Sequence, residues 1–196
     1  SARAVGGDFY DAIPLSDHSL LLVVADVIGK GVPAALFATI IRGLLRGLST
    51  RGEGRAQLLS RLNRLLYAEL SAVSMFITAQ VAVVRTRPRT VTAAGAGHCP
   101  LLYVTRGGRA VEALATHGMP LGVLPDVEYR AQRVALEQPG TLLLHTDGLT
   151  DVRNAAGENF GQGRLTEWLR LNHGHGRSAT ELRGRLASEL NRFRGE

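Results

Sequence analysis

Cysteine is nearly absent: Cys99 stands alone in 196 residues, which excludes an internal disulfide framework and a thiolate zinc site. Lysine is as scarce. Lys30 is the single lysine among 23 basic residues, so the rest are arginine, and against 17 acids they leave a formal charge of +6. That balance permits association with acidic surfaces but says nothing of fold, and no nucleic-acid partner is expected from it. Long hydrophobic runs are missing too. The longest, Leu20–Ala25 and Ala34–Ile41 with Thr39 inside it, fall well short of the roughly 18–20 residues that cross a bilayer, so no membrane span is expected. Ser1 to Gly7 has no signal-peptide character, and the expected location is cytoplasmic. No repeat or linker divides the chain. What is present, 45% apolar and 20% charged residues, suits one globular domain over residues 1–196 with its own core.

Apolar alternation between turn residues predicts strands over 3–13, 19–26, 75–85, 89–95, 100–105, 127–135 and 141–146, several joined by short antiparallel connections such as the hairpin turn Gly107-Gly108. Pro33 opens a helix in which Phe37, Ile40, Ile41, Leu44, Leu45 and Leu48 repeat at helical spacing. Leu58, Leu62, Leu65, Leu66 and Leu70 predict a second helix from Arg55 to Leu70, with two more near 161–171 and 178–194. Strands, a helix pair, more strands and terminal helices make an α+β domain with helices segregated onto sheet faces.

The aspartates carry the chemical information. Asp8 follows Gly6-Gly7 in the first strand, Asp26 ends the apolar strand Leu20–Ala25, and Asp147 ends the strand Thr141–Thr146. A carboxylate at a strand end beside glycine has a rigid base and room for a ligand, as a hard cation such as Mg²⁺ or Mn²⁺ requires. Each alone also suits a turn.

The chain holds Gly6-Gly7-Asp8-Phe9-Tyr10-Asp11, then Asp26-Val27-Ile28-Gly29-Lys30-Gly31-Val32-Pro33-Ala34-Ala35, then Met75-Phe76-Ile77-Thr78-Ala79. Ala96-Gly97-His98-Cys99-Pro100, Pro120-Leu121-Gly122, His145-Thr146-Asp147-Gly148-Leu149-Thr150-Asp151 and Asn159-Phe160-Gly161 follow. In that order, from residue 5 to about 165, these motifs resemble the metal-dependent serine/threonine phosphatases of the protein phosphatase 2C type, and more closely the bacterial branch that regulates sporulation and stress sigma factors.

That resemblance implies two antiparallel sheets packed as a sandwich, flanked by helices, with two Mn²⁺ or Mg²⁺ ions at one edge. Asp26 would bridge the ions, Asp8 would hold one directly or through water with the Val27 carbonyl completing it, and Asp147 would ligate the other; Asp26 and Asp147 are the catalytic residues so implied. Two such ions activate a water for in-line phosphoryl transfer and remove the need for a protein nucleophile. The implied substrate is phosphoserine or phosphothreonine on a small anti-sigma-factor antagonist, with a sensor domain preceding residue 1 in the parent. The family's final paired-aspartate strand has no counterpart, since no aspartate follows Asp151, so the chain is expected to be truncated at both ends. An inactive phosphatase-like regulatory module is the alternative function. Animal members carry a histidine general acid where this chain has Ile28, so a water or another group protonates the leaving oxygen.

Other residues have plainer readings. His98 fixes a tight turn, and Cys99 beside it makes no catalytic dyad, because neighbours in an extended segment point apart. His173 and His175 read as a solvated loop rather than a metal site. Lys30 either contacts a substrate phosphate or is solvated. From Arg42 to Arg64 six arginines face one acid, Glu53, as a solvated helix face or as a docking surface for an acidic phosphoprotein. Gly29-Lys30 is no P-loop, since Val24 and Gly31 occupy its defining glycine and hydroxyl positions. Asp26–Gly31 is one residue too long for the Asp-x-Gly-x-Gly box of anti-sigma and histidine kinases.

Overall fold

A computed structural model describes residues 6–49, 54–105, 111–114, 118–173 and 177–195. Gly107-Gly108 and His175 lie outside these. The chain divides into two compact units, Ser1–Pro100 with Ala115–Leu136 and Leu101–Leu114 with Glu137–Glu196, each holding an antiparallel sheet and helices. This is the expected α+β class.

In the first unit, β1 (Phe9–Ser16), β2 (Ser19–Val27), β3 (Ile77–Thr86), β4 (Arg89–Ala96) and β7 (Ala131–Ala135) form one sheet in the order β1-β2-β3-β4-β7. Period-2 alternation sends Leu21, Val23, Ala25 and Val27 of β2 to one face, where they share a core with α1 (Val32–Ser49) and α2 (Arg55–Ala72). β1 is an edge strand, which is why Pro14 is tolerated in it and why the ladder slips between Pro14 and Ser16. Within the described residues it begins at Phe9 and runs on to Ser16, past the expected end at 13; residues 3–5 of the expected strand lie outside the described residues.

The helix α1 differs from its predicted face. Ala34, Ala38, Ile41, Leu45 and Leu48 are buried, while Ile40 is 48% exposed, in line with Leu36 and Val32. Small alanines let the helix sit close to the sheet and turn its larger residues outward. With 18 residues and mean hydropathy 1.3, α1 is long and apolar enough to cross a membrane, yet its buried side belongs to this core.

In the second unit, β5 (Leu101–Thr105) lies between β6 (Val111–Leu114) and β8 (Gly140–Leu143). The short helix α3 (Asp147–Thr150) follows, then α4 (Gly161–Asn172) and α5 (Ala179–Arg194). Leu102, Val152, Phe160, Leu165, Leu169 and Leu186 make its separate core. A full capping box starts α5: Ser178 Oγ accepts from the Glu181 N–H, and the Glu181 carboxylate accepts from the Ser178 N–H.

Candidate functional site

Register decides where the acidic residues of the first unit fall. Phe9 pairs with Ala25, and one residue beyond this pair on each strand stand Asp8 and Asp26. The next step, Gly7 beside Val27, is held by the Val27 N–H donating to the Gly7 carbonyl at 3.4 Å. Asp8 and Asp26 are thus cross-strand neighbours, and directly opposed residues share a sheet face with Cβ atoms about 5 Å apart. Asp26 is paired on its other side with Thr78 of β3, whose Oγ1 lies 2.7 Å from His98 Nδ1. Asp8, Asp26 and Thr78 form a row across three strands, and His98 joins its far end. The row occupies the face opposite the buried Val27 side chain.

Gly7 explains how the edge strand comes so near. A Cβ there would be driven into the carbonyl oxygen of Val27, so only glycine lets the β1 backbone lie against that group. The donors gathered are two carboxylates and a peptide carbonyl, hard oxygen ligands of the kind Mg²⁺ and Mn²⁺ take. Among the described residues no three His, Cys, Asp or Glu side chains gather as a metal cluster. Two carboxylates directly opposed on one face repel, and a divalent cation offsets that repulsion. The residues fit such an ion.

The loop after Asp26 is fixed rather than loose. The Ile28 N–H donates to the Phe76 carbonyl at 3.0 Å, and Gly29 and Gly31 turn it with φ of 109° and 76°, values that favour glycine. Lys30 between them is exposed, and α1 begins directly after.

On the opposite face of β1 stands Asp11, 7% exposed and in line with Val23. Arg46 grips it with Nε to Oδ2 and Nη2 to Oδ1, both 2.7 Å; Arg42 Nε donates to Oδ2 at 3.1 Å and the Ala12 N–H to Oδ1 at 2.9 Å. The Arg46 hydrogen bond is the main cause holding its carboxyl at about 2, well below the usual carboxylate range, with Arg42 adding to it against the cost of burial. Two arginines of the expected basic face are therefore committed, in part, to an internal partner. The motif Gly6–Asp11 contained Asp11, but its role was invisible, because its partners lie more than thirty residues away.

In the second unit Asp147 is exposed and opens α3; its carbonyl accepts from the Asp151 N–H at 2.8 Å and from Thr150 Oγ1 at 3.0 Å. His145, buried just before it, donates from Nδ1 to the Thr146 carbonyl at 3.0 Å, and burial lowers its pKa, which favours the neutral ring. His173 is not solvated as expected. It is 6% exposed, with Nδ1 on the Leu169 carbonyl at 3.0 Å, where it closes the last turn of α4.

The profile of the family "Stage II sporulation protein E (SpoIIE)" matches residues 16–196. The chain is 33% identical to phosphoserine phosphatase RsbU of Bacillus subtilis over 156 residues, which cover 80% of this chain and 46% of RsbU. It is 30% identical to protein IcfG of Synechocystis, covering 96% of this chain and 33% of that protein. The chain thus spans less than half the length of these relatives. Among solved structures, the SiaA-PP2C domain of Pseudomonas aeruginosa superposes with a TM-score of 0.83 at 28% identity, over 98% of this chain and 76% of that one. RsbX in complex with magnesium shares the fold, with a TM-score of 0.72 at 18% identity over 98% of this chain and 82% of that one. A profile match over nearly the whole chain, the similarity to RsbU and a shared PP2C fold place the chain in the stage II sporulation protein E family.

Proposed function

We propose that this chain is the catalytic domain of a metal-dependent protein serine/threonine phosphatase acting on a phosphorylated anti-sigma-factor antagonist. The observation that carries this is the cross-strand pair Asp8–Asp26, set beside the Val27 carbonyl by Gly7. Asp26 would be shared by two divalent cations, Mn²⁺ or Mg²⁺. Asp8 and the Val27 carbonyl would complete one site, and the resemblance assigns Asp147 a metal-ligand role as well. When bound, such ions lower the pKa of a water and offset the charge of the transferring phosphoryl group. Asp26, on a strand paired on both sides, holds its donor oxygens in place and needs no reorganisation when substrate arrives. Lys30, exposed between Gly29 and Gly31, is a cation available to a phosphate. Ile28 offers no proton, so the leaving oxygen is protonated by a water or another group.

The reading predicts that phosphate release from a phosphoserine protein substrate requires added Mn²⁺ or Mg²⁺, stops with chelator, and falls at least about a hundredfold in Asp26→Asn. Metal-dependent release that survives Asp26→Asn unchanged contradicts the assignment. Metal binding without any turnover favours a regulatory binding module.

A further inference from the structure

The strand that carries Asp8 lies at an edge of its sheet. Among the described residues β1 is hydrogen-bonded only to β2, and Asp8 stands one residue before its first ladder pair. Strand ends of this kind fray, because few bonds oppose their opening. Asp11 supplies a second attachment. It lies three residues from Asp8, about 10 Å along an extended strand. It faces the helices, so its bonds reach an element other than β2. Arg46 holds both carboxylate oxygens in the fork geometry that guanidinium and carboxylate share, and Arg42, one turn earlier on α1, adds a further bond. The carboxylate is nearly covered while both arginines remain about half exposed. The buried partner is thus the one with no alternative. If the grip is lost, Asp11 keeps, among the described residues, only the N–H of its own neighbour Ala12.

The same contact holds the helix that follows the Asp26–Gly31 loop. Arg42 and Arg46 lie ten and fourteen residues into the segment from Val32, about 15–21 Å from the helix start. One ion-paired cluster therefore joins the strand after Asp8 to the helix after Asp26.

We propose that Asp11, gripped by Arg46 and Arg42, is a positioning residue that pins the Asp8 end of β1 and so sets the affinity of the Asp8–Asp26 pair for its divalent cation. This rests on the metal-site reading above, but Asp11 touches neither ion nor substrate: it acts through the strand.

The test is calorimetric titration of Mn²⁺ into the wild-type chain and the variants Asp11→Asn, Arg46→Gln and Arg46→Lys, with amide exchange followed in each. Asp11→Asn and Arg46→Gln are expected to weaken Mn²⁺ binding roughly tenfold and to speed exchange at residues 9–13, while β3 and β4 keep their protection. Arg46→Lys recovers part of the loss, as a charge without the fork. Arg46→Gln is the safer variant, since it removes a half-exposed side chain. If it binds Mn²⁺ as tightly as wild type, or loses binding only together with protection throughout β3 and β4, the inference is overturned. A wild-type chain that binds no Mn²⁺ overturns the proposed function and this inference together. Tight wild-type binding with an unaffected Arg46→Gln overturns this inference alone.

Discussion

Gly7 and Gly6 stand side by side in one motif and carry different constraints. A methyl at Gly6 would meet only the Asp8 backbone nitrogen at 3.9 Å, in ordinary contact, whereas a methyl at Gly7 has no room against the Val27 carbonyl. Gly7→Ala must push β1 away from β2 where Asp8 faces Asp26. It is expected to cost about 1–3 kcal/mol of stability and to weaken Mn²⁺ binding at least tenfold; Gly6→Ala is expected to stay within about 0.5 kcal/mol of wild type. Urea unfolding and Mn²⁺ titration of the two variants check this, and equal behaviour of the pair would contradict it. Of the aspartates read as lying in or ending strands, Asp26 lies near the end of β2, whereas Asp8 stands just before β1 and Asp147 opens α3, because β8 stops at Leu143 instead of running to Thr146. What Asp11 does was not legible in the sequence, because its meaning lies with Arg42 and Arg46, which only tertiary packing brings to it.

At the scale of elements, α2 shows why hydropathy is an incomplete guide to burial. Leu58, Leu62, Leu66 and Leu70 are buried as their spacing predicts, but Leu65 is 49% exposed and Asn63 is fully buried. Asn63 Nδ2 donates to the carbonyls of Leu124 and Pro125 at 2.8 and 3.0 Å, and its Oδ1 accepts from the Gly122 N–H at 2.9 Å. One side chain thus fastens the 122–125 turn to the helix. Asn63→Ala strips partners from three backbone groups and is expected to destabilise the chain by about 2–4 kcal/mol in urea unfolding. A loss under about 0.5 kcal/mol would contradict that role. A polar residue among leucines reads from sequence as the exposed side of the helix, and only the loop it serves shows otherwise. The elements that escaped prediction were short. β6, over Val111–Leu114, has too few residues to show alternation, and α3 is a single turn. The strand expected over 127–135 contracts to Ala131–Ala135, because Val127 and Tyr129 pack against the core without joining the ladder.

For the whole molecule, the α+β class followed from the order of periodic segments, while the division into two compact units did not. The chain passes between units three times, after Pro100, Leu114 and Leu136, so no linker or change of composition marks a boundary. Each unit instead has its own apolar cluster, which only contacts distant in sequence assemble. The motifs that pointed to a metal-dependent phosphatase are spread across both units, and the family match covers both. The central claim is that Asp8 and Asp26, with the Val27 carbonyl, are ligands of a divalent cation. Anomalous scattering from crystals of the chain grown with Mn²⁺ tests it most directly. The account predicts Mn²⁺ within about 2.2 Å of an Asp26 carboxylate oxygen, with Asp8 and the Val27 carbonyl as its neighbours. Mn²⁺ bound elsewhere on the chain, with no anomalous peak between Asp8 and Asp26, would contradict it.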